Sequence, residues 1–182
     1  MKKLIPYLSL LLFTLNCAGF KNIESPESVI KKNNIENING TYENLPSSGS
    51  SFYIRMLTDV FDRNINMFNW KDKYDAKKTK VKLQMIEKNR LNVIVFKNEK
   101  TVFNKNLRVK LKKDGYLYLK EKRFMIDGIP LVLGGWNIQK SRLGADENNN
   151  LKIQSNYFFC NGFAVLMSDW KTHYYNLTFE KQ

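Results

Sequence analysis

His173 is the only imidazole in the chain, so any serine or cysteine nucleophile would have to use it as the base. It stands at the head of a terminal segment beside Tyr174 and Tyr175. That setting suits a residue packed in a strand. Cys160 follows Tyr157, Phe158 and Phe159. A reactive thiol needs a cation or a helix N-terminus to lower its pKa, and an aromatic strand offers neither. One histidine and one spare cysteine also fall short of the usual zinc ligand set. Paired carboxylates could act as acid and base on a glycoside. Asp146 and Glu147 are adjacent but precede three asparagines and read as a loop, while Asp127 and Asp169 are isolated in sequence. The expectation is a non-enzyme, with no catalytic residue, no metal and no cofactor.

The stretch "DGIPLVLGGWNI" from Asp127 to Ile138 breaks the local alternation and holds three glycines. The glycines lack the spacing of a phosphate-binding loop, and no helix follows them. Gly134, Gly135 and Trp136 are therefore expected in an apolar loop that either touches a partner or plugs one end of the fold.

The remaining chemistry is at the other end of the chain. Lys2 and Lys3 precede an apolar stretch from Leu8 to Leu15. A basic head and a short apolar core describe an export signal rather than a membrane span, which needs about 20 apolar residues. "LLLFTLNCAGF" then resembles a bacterial lipobox, with Leu15 and Asn16 directly ahead of Cys17. The common pattern has leucine three residues before the cysteine and a small residue just before it, so this motif is a relaxed one. Cys17 is the expected lipidation site, and a lipid-modified N-terminal cysteine implies firm attachment, since each buried methylene contributes about 0.8 kcal/mol. With Cys17 acylated, Cys160 has no intramolecular partner. Without acylation, a Cys17–Cys160 bridge stays open in an oxidising compartment.

The net charge is +13, of which Lys2 and Lys3 contribute two. Such a balance suits an anionic polymer or an envelope protein as partner. It also suits a lysine-rich composition with solvated side chains. The cations are 24 lysines and 6 arginines. Nucleic-acid binders favour arginine forks and aromatic stacking platforms, and neither pattern is present, so nucleic acid is not expected as a partner.

The elements that must position these residues follow from periodicity. Residues 1–16 form the signal peptide, 17–37 a lipid-anchored flexible tether, and 38–182 a single β-rich domain. A flexible chain of this length spans on the order of 25 Å. "INGTYEN" reads as a first strand. In "SFYIRMLTDVF", Phe52, Met56 and Val60 and then Tyr53, Leu57 and Phe61 recur every four residues, which predicts a helix over 51–61 capped by Ser50 or Ser51. From Lys80 the period becomes two: Val81, Leu83, Met85; Leu91, Val93, Val95; Leu107, Val109, Leu111. Lys88-Asn89 and Asn148-Asn149-Asn150 mark turns. Asp114-Gly115 and Asn161-Gly162 are the dipeptides best suited to two-residue type I′ hairpins. The fold class is all-β: an antiparallel barrel or sandwich of about 8–9 strands with one short N-terminal helix.

Gly40-Thr41-Tyr42 is an analogue of the Gly-x-Trp that opens lipocalin-type barrels, with Tyr in place of Trp. Together with a tether after a lipobox and the phrase "SRLGADENNNLKI", it is similar to small Bacteroidetes envelope lipoproteins, flavobacterial ones especially. Asn149 stands where those carry glycine. Spirochaete lipoproteins are a rival source, because they share the relaxed lipobox. The resemblance implies a bacterial envelope location, on the outer membrane with the periplasmic face favoured, and a β-rich, lipocalin-like domain. It implies no particular activity. Two functions follow: a membrane-anchored binding or interaction module for an envelope protein or anionic polymer, or a lipocalin-like carrier of a small apolar ligand or lipid.

Overall fold

The computed structural model describes Phe20 and residues 30–62, 73–121, 123–129, 133–163 and 166–182. Residues 1–16, expected as a signal peptide, and Cys17 lie outside these. The chain is mainly β, as the alternation predicts. Its strands are β1 (Gly40–Glu43), β2 (Thr79–Glu87), β3 (Arg90–Lys97), β4 (Lys100–Leu111), β5 (Leu117–Leu119), β6 (Arg123–Ile129), β7 (Leu133–Ala145), β8 (Leu151–Phe163) and β9 (Leu166–Phe179). All pair antiparallel in one sheet. The order is β1-β2-β3-β4-β5-β7-β8-β9, with β6 also on β7. β5 pairs with Leu143 and Arg142, while β6 pairs with 133–139. The two therefore lie end to end along one edge of β7, and the sheet is eight strands wide.

The sheet curls until its ends meet. Glu43 N–H donates to Glu180 O at 3.0 Å and Gln182 N–H to Thr41 O at 2.9 Å. The result is a barrel-like sheet rather than a sandwich. One end carries the β2–β3, β4–β5 and β7–β8 turns and a 3-10 turn, Ile35–Ile38. The other end carries the 44–62 segment and the β3–β4 turn. We call these the turn end and the mouth.

On β2 and β3 buried residues alternate with more exposed ones, whereas β7 and β8 are buried on both faces over 141–145 and 153–157. Val81, Leu83, Leu91, Val93, Val95, Val109, Leu117, Leu143, Leu151, Ile153, Leu177 and Phe179 make the core. Tyr42 is wholly buried among them, and its hydroxyl donates to Ile38 O at 2.8 Å. Gly40 leaves room for the Lys181 stem, whose Nζ donates to Asn37 O at 3.1 Å. Ile30 is also buried, and its N–H donates to Gly115 O at 3.3 Å. This part of the expected tether is packed rather than free.

The helix expected over 51–61 shrinks to α1, Thr58–Phe61. Local side-chain acceptors take the backbone donors that a helix would need. Ser51 Oγ accepts from Tyr53 N–H at 3.2 Å and Ile54 N–H at 2.8 Å. Asp59 Oδ2 accepts from Arg55 and Met56 N–H at 2.9 and 3.0 Å. Ile54, Leu57, Val60 and Phe61 still reach the core, but Phe52 is 82% exposed. The apolar spacing marked burial and overstated the helix.

The turns also differ from expectation. Asp114-Gly115 does lie between β4 and β5, but in a three-residue loop. Gly115 N–H donates to Lys112 O, and only Gly115 has positive φ, +76°. That is a type I turn followed by a left-handed residue. The 146–150 turn repeats it, with Asn149 at φ 61° and Asp146 Oδ1 accepting from Asn148 and Asn150 N–H. The type I′ geometry belongs instead to Asn98-Glu99, whose φ values are 49° and 64°. Asn161-Gly162 is not a turn at all. It lies inside β8 at an irregularity where Asn161 pairs with Asp169 and Gly162 with Met167.

Candidate ligand-binding site

Cross-strand pairing sets one face of β7, β8 and β9 in rows, and the chemistry of that face changes along the strands. Near the turn end that face is Leu143, Ile153 and Leu177. Toward the mouth, cross-strand pairing places Ser141, Ser155 and Tyr175 abreast, then Gln139, Tyr157 and His173, then Asn137, Phe159 and Lys171. Gln139, Ser141, Ser155 and Tyr157 are all buried.

The hydroxyls of Ser141 and Ser155 meet at 2.7 Å, and Gln139 Nε2 donates to Ser141 Oγ at 3.3 Å. The other amide atom, Gln139 Oε1, is buried without a hydrogen-bond partner among the described residues. A buried acceptor left this way costs about 1–3 kcal/mol and marks a place where a donor is missing.

Tyr53, from the segment over the mouth, closes the arrangement. Its ring stacks on Tyr157 with centroids 4.1 Å apart and planes 10° apart. Phe159, His173 and Tyr175 lie 6.2, 5.7 and 6.5 Å from it. His173 also stacks on Tyr175 at 6.3 Å. Aromatic faces thus flank a polar floor, a combination suited to gripping a ring that also carries hydrogen-bonding groups.

Asp127 and Asp169 stand in one row of the sheet, joined through Gly135 and Asn161, on strands three apart. Among the described residues no three His, Cys, Asp or Glu side chains gather as a metal site. Cys160 is 1% exposed on the opposite, outer face of β8, across from Trp136. Burial holds that thiol above its usual range, which disfavours the thiolate. Asp146 spends its carboxylate on its own turn, with Asn150 Nδ2 donating to it at 3.1 Å.

Gly134, Gly135 and Trp136, expected in a contact loop, are part of β7. They pair with Gly128, Asp127 and Ile126 of β6 on one side and with Gly162, Asn161 and Cys160 of β8 on the other. The glycines are not loop residues but a thin place across three strands, where Gly128, Gly134 and Gly162 stand abreast. Because they broke the apolar alternation, the stretch through Trp136 was expected as a loop and not as a strand. That concealed Asn137, Gln139 and Ser141. They share the phase of Leu143 and Ala145, and that polar continuation of a buried phase is the signal that could have revealed the site.

A second cluster sits on the outer face near the turn end. Arg142 is buried. It donates through Nε to Gln154 Oε1 at 2.8 Å, and through one terminal nitrogen to Asp114 Oδ2 at 2.9 Å and Tyr118 Oη at 2.7 Å. Its guanidinium lies 4.4 Å from the Tyr116 ring centre and 4.6 Å from that of Phe20. A Cβ on Gly144 would come within 2.7 Å of the Tyr116 ring, so glycine is needed for this close approach. The phrase "SRLGADENNN" is therefore a structural unit: Arg142 clamps, Leu143 enters the core, Gly144 admits Tyr116, and Asp146 and Asn149 shape the turn.

Comparison with known protein families, curated proteins and solved structures finds no match to this chain.

Proposed function

We propose that this chain is a lipid-anchored bacterial envelope protein that works as a non-enzymatic binding module, taking one sugar ring of an envelope polymer at the mouth of its barrel. The observation that carries this reading is the buried acceptor Gln139 Oε1 on the residue paired across the strands with Tyr157, whose ring stacks on Tyr53. A pyranose offers an apolar face to tyrosine rings and N–H or O–H donors to an amide and two serine hydroxyls. The excess of lysine supports an anionic polymer around that ring. The sequence ahead of the fold supports anchoring through Cys17.

A carrier of a small apolar ligand is less well supported, because the apolar half of the interior is occupied by Ile54, Leu57, Val60, Phe61 and the strand residues. Calorimetric titration of the Cys17→Ser chain with N-acetylglucosamine oligomers tests the sugar reading. Binding that is weakened about ten-fold or more by Tyr157→Ala and by Gln139→Leu is expected. Binding that ignores both substitutions, or no binding, refutes it. Fractionation tests the anchor separately: Cys17→Ser is expected to move the protein from membrane to soluble fraction, and retention in the membrane overturns that assignment.

A further inference from the structure

We infer that the turn end of the barrel lies against an anionic bilayer surface, with Phe20 fixing the orientation and the lysines of the β4–β5 turn facing the lipid headgroups. The inference rests on the reading of Cys17 as the anchor. It starts from the place where the described chain first touches the fold. Phe20 packs edge-on against Tyr118, ring centres 5.3 Å apart and planes at 89°, and lies over the Arg142 guanidinium. Cys17 is three residues earlier, and three residues span at most about 11 Å. An acyl chain on Cys17 must therefore enter its bilayer close to Tyr118 and Arg142. The barrel does not hang at the end of a 20-residue leash.

The surface beside that point has the composition a headgroup layer requires. Lys110, Lys112 and Lys113 are exposed there, and none has a carboxylate partner among the described residues. They line an open groove of about 550 Å³ with Leu111, Asp114 and Tyr118. The only carboxylate in that groove, Asp114, is already engaged by Arg142 at 2.9 Å. Lys112 Nζ lies 3.7 Å from the centre of the Tyr118 ring, so Tyr118 joins the lysine to the Phe20 contact. Lys110 and Tyr118 are directly paired across β4 and β5, and Tyr118 and Arg142 across β5 and β7. The row is thus rigidly placed by the sheet. A lysine held at an anionic membrane surface strengthens attachment about five-fold. The mouth, at the opposite end of the strands, then faces away from the bilayer.

The test uses the acylated full chain, purified from bacterial membranes and reconstituted into vesicles of phosphatidylcholine alone or mixed with phosphatidylglycerol. Flotation reports the anchor, and lysine acetylation read by mass spectrometry reports the docking. The expected result is flotation with both vesicles. Acetylation of Lys112 and Lys113 should then slow about ten-fold on the phosphatidylglycerol vesicles only. Lys97 and Lys100, flanking the β3–β4 turn at the other end, should be unchanged. Phe20→Ala should abolish the difference while flotation persists. Failure to float overturns the anchor. Flotation with equal acetylation on both vesicles overturns the docking and leaves the anchor standing. Slowed acetylation of Lys112 and Lys113 by inorganic phosphate on the phosphatidylcholine vesicles, equal to that on phosphatidylglycerol, assigns the groove to a free anion and also overturns the docking.

Discussion

Replacing Arg142 by alanine should destabilise the fold by about 3–5 kcal/mol, because a buried guanidinium loses its charged hydrogen bonds and the buried Gln154 is left without its donor. The magnitude can be assembled from the contacts. The charged hydrogen bonds to Asp114 and Gln154 are each worth about 1.5–3 kcal/mol. Cation–π contact with Tyr116 adds about 0.5–2 kcal/mol. These overlap, because Asp114 is 37% exposed and can be rehydrated once Arg142 is gone, whereas Gln154 is only 2% exposed and cannot. For a chain of this size each kcal/mol lowers Tm by about 2–4 °C, so the loss should be about 6–20 °C. The assay is urea unfolding at neutral pH followed by circular dichroism, with Arg142→Met beside Arg142→Ala. Methionine keeps much of the apolar stem and loses the fork, so it should recover less than half of the deficit. A loss below about 1 kcal/mol for Arg142→Ala would refute the reasoning, since a surface ion pair is worth no more than that. So would a methionine variant as stable as the parent, because packing and not the fork would then carry the site.

Gly144→Ala should cost about 1–3 kcal/mol in the same assay, because the Tyr116 ring has to yield to the new methyl; Tyr116→Ala in that background should make the alanine at 144 nearly neutral. Burial raises the Tyr42 phenol above its usual value, so the folded state holds this proton more tightly than the unfolded chain. Its contribution is full below about pH 10, the unfolded value, and is lost as pH rises beyond it; a pH series of Tm values should fall more steeply above that point in the parent than in Tyr42→Phe. Cys160 should resist alkylation in the folded chain and react at the rate of a free thiol in urea, as its burial and raised pKa require; equal rates in both states would contradict its placement.

The all-β class and most of its strands could be read from the sequence because a half-buried strand writes its two faces into alternate residues. Val81, Leu83 and Leu91, Val93, Val95 each fell on the inward face as their spacing required. Short-range turn chemistry was legible only where the geometry was local. Asp146 and Asn149 shape the 146–150 turn through contacts within five residues. Asn161-Gly162 has the same local preference and yet sits in a strand, because pairing with β7 on one side and β9 on the other outweighs a turn propensity. The 51–61 segment shows the converse. Its apolar period matched burial at Met56, Leu57, Val60 and Phe61 but not at Phe52, and Asn44, fourteen residues earlier, accepts from the Thr58 N–H while local acceptors take other donors.

What the sequence determined by itself was therefore the pattern of inward and outward faces on strands such as β2 and β3 and the shape of a turn such as 146–150. Both are carried by residues close in the chain. What only the tertiary structure decided was which distant residues share a face. Tyr53 reaches Tyr157 across more than a hundred residues, and Gln139, Ser141 and Ser155 form one polar floor only once β7 and β8 are in register. Phe20 meets Tyr118 and Arg142 for the same reason. Such contacts depend on the curl and stagger of the whole sheet, which are set by the sum of its pairings and by no single segment.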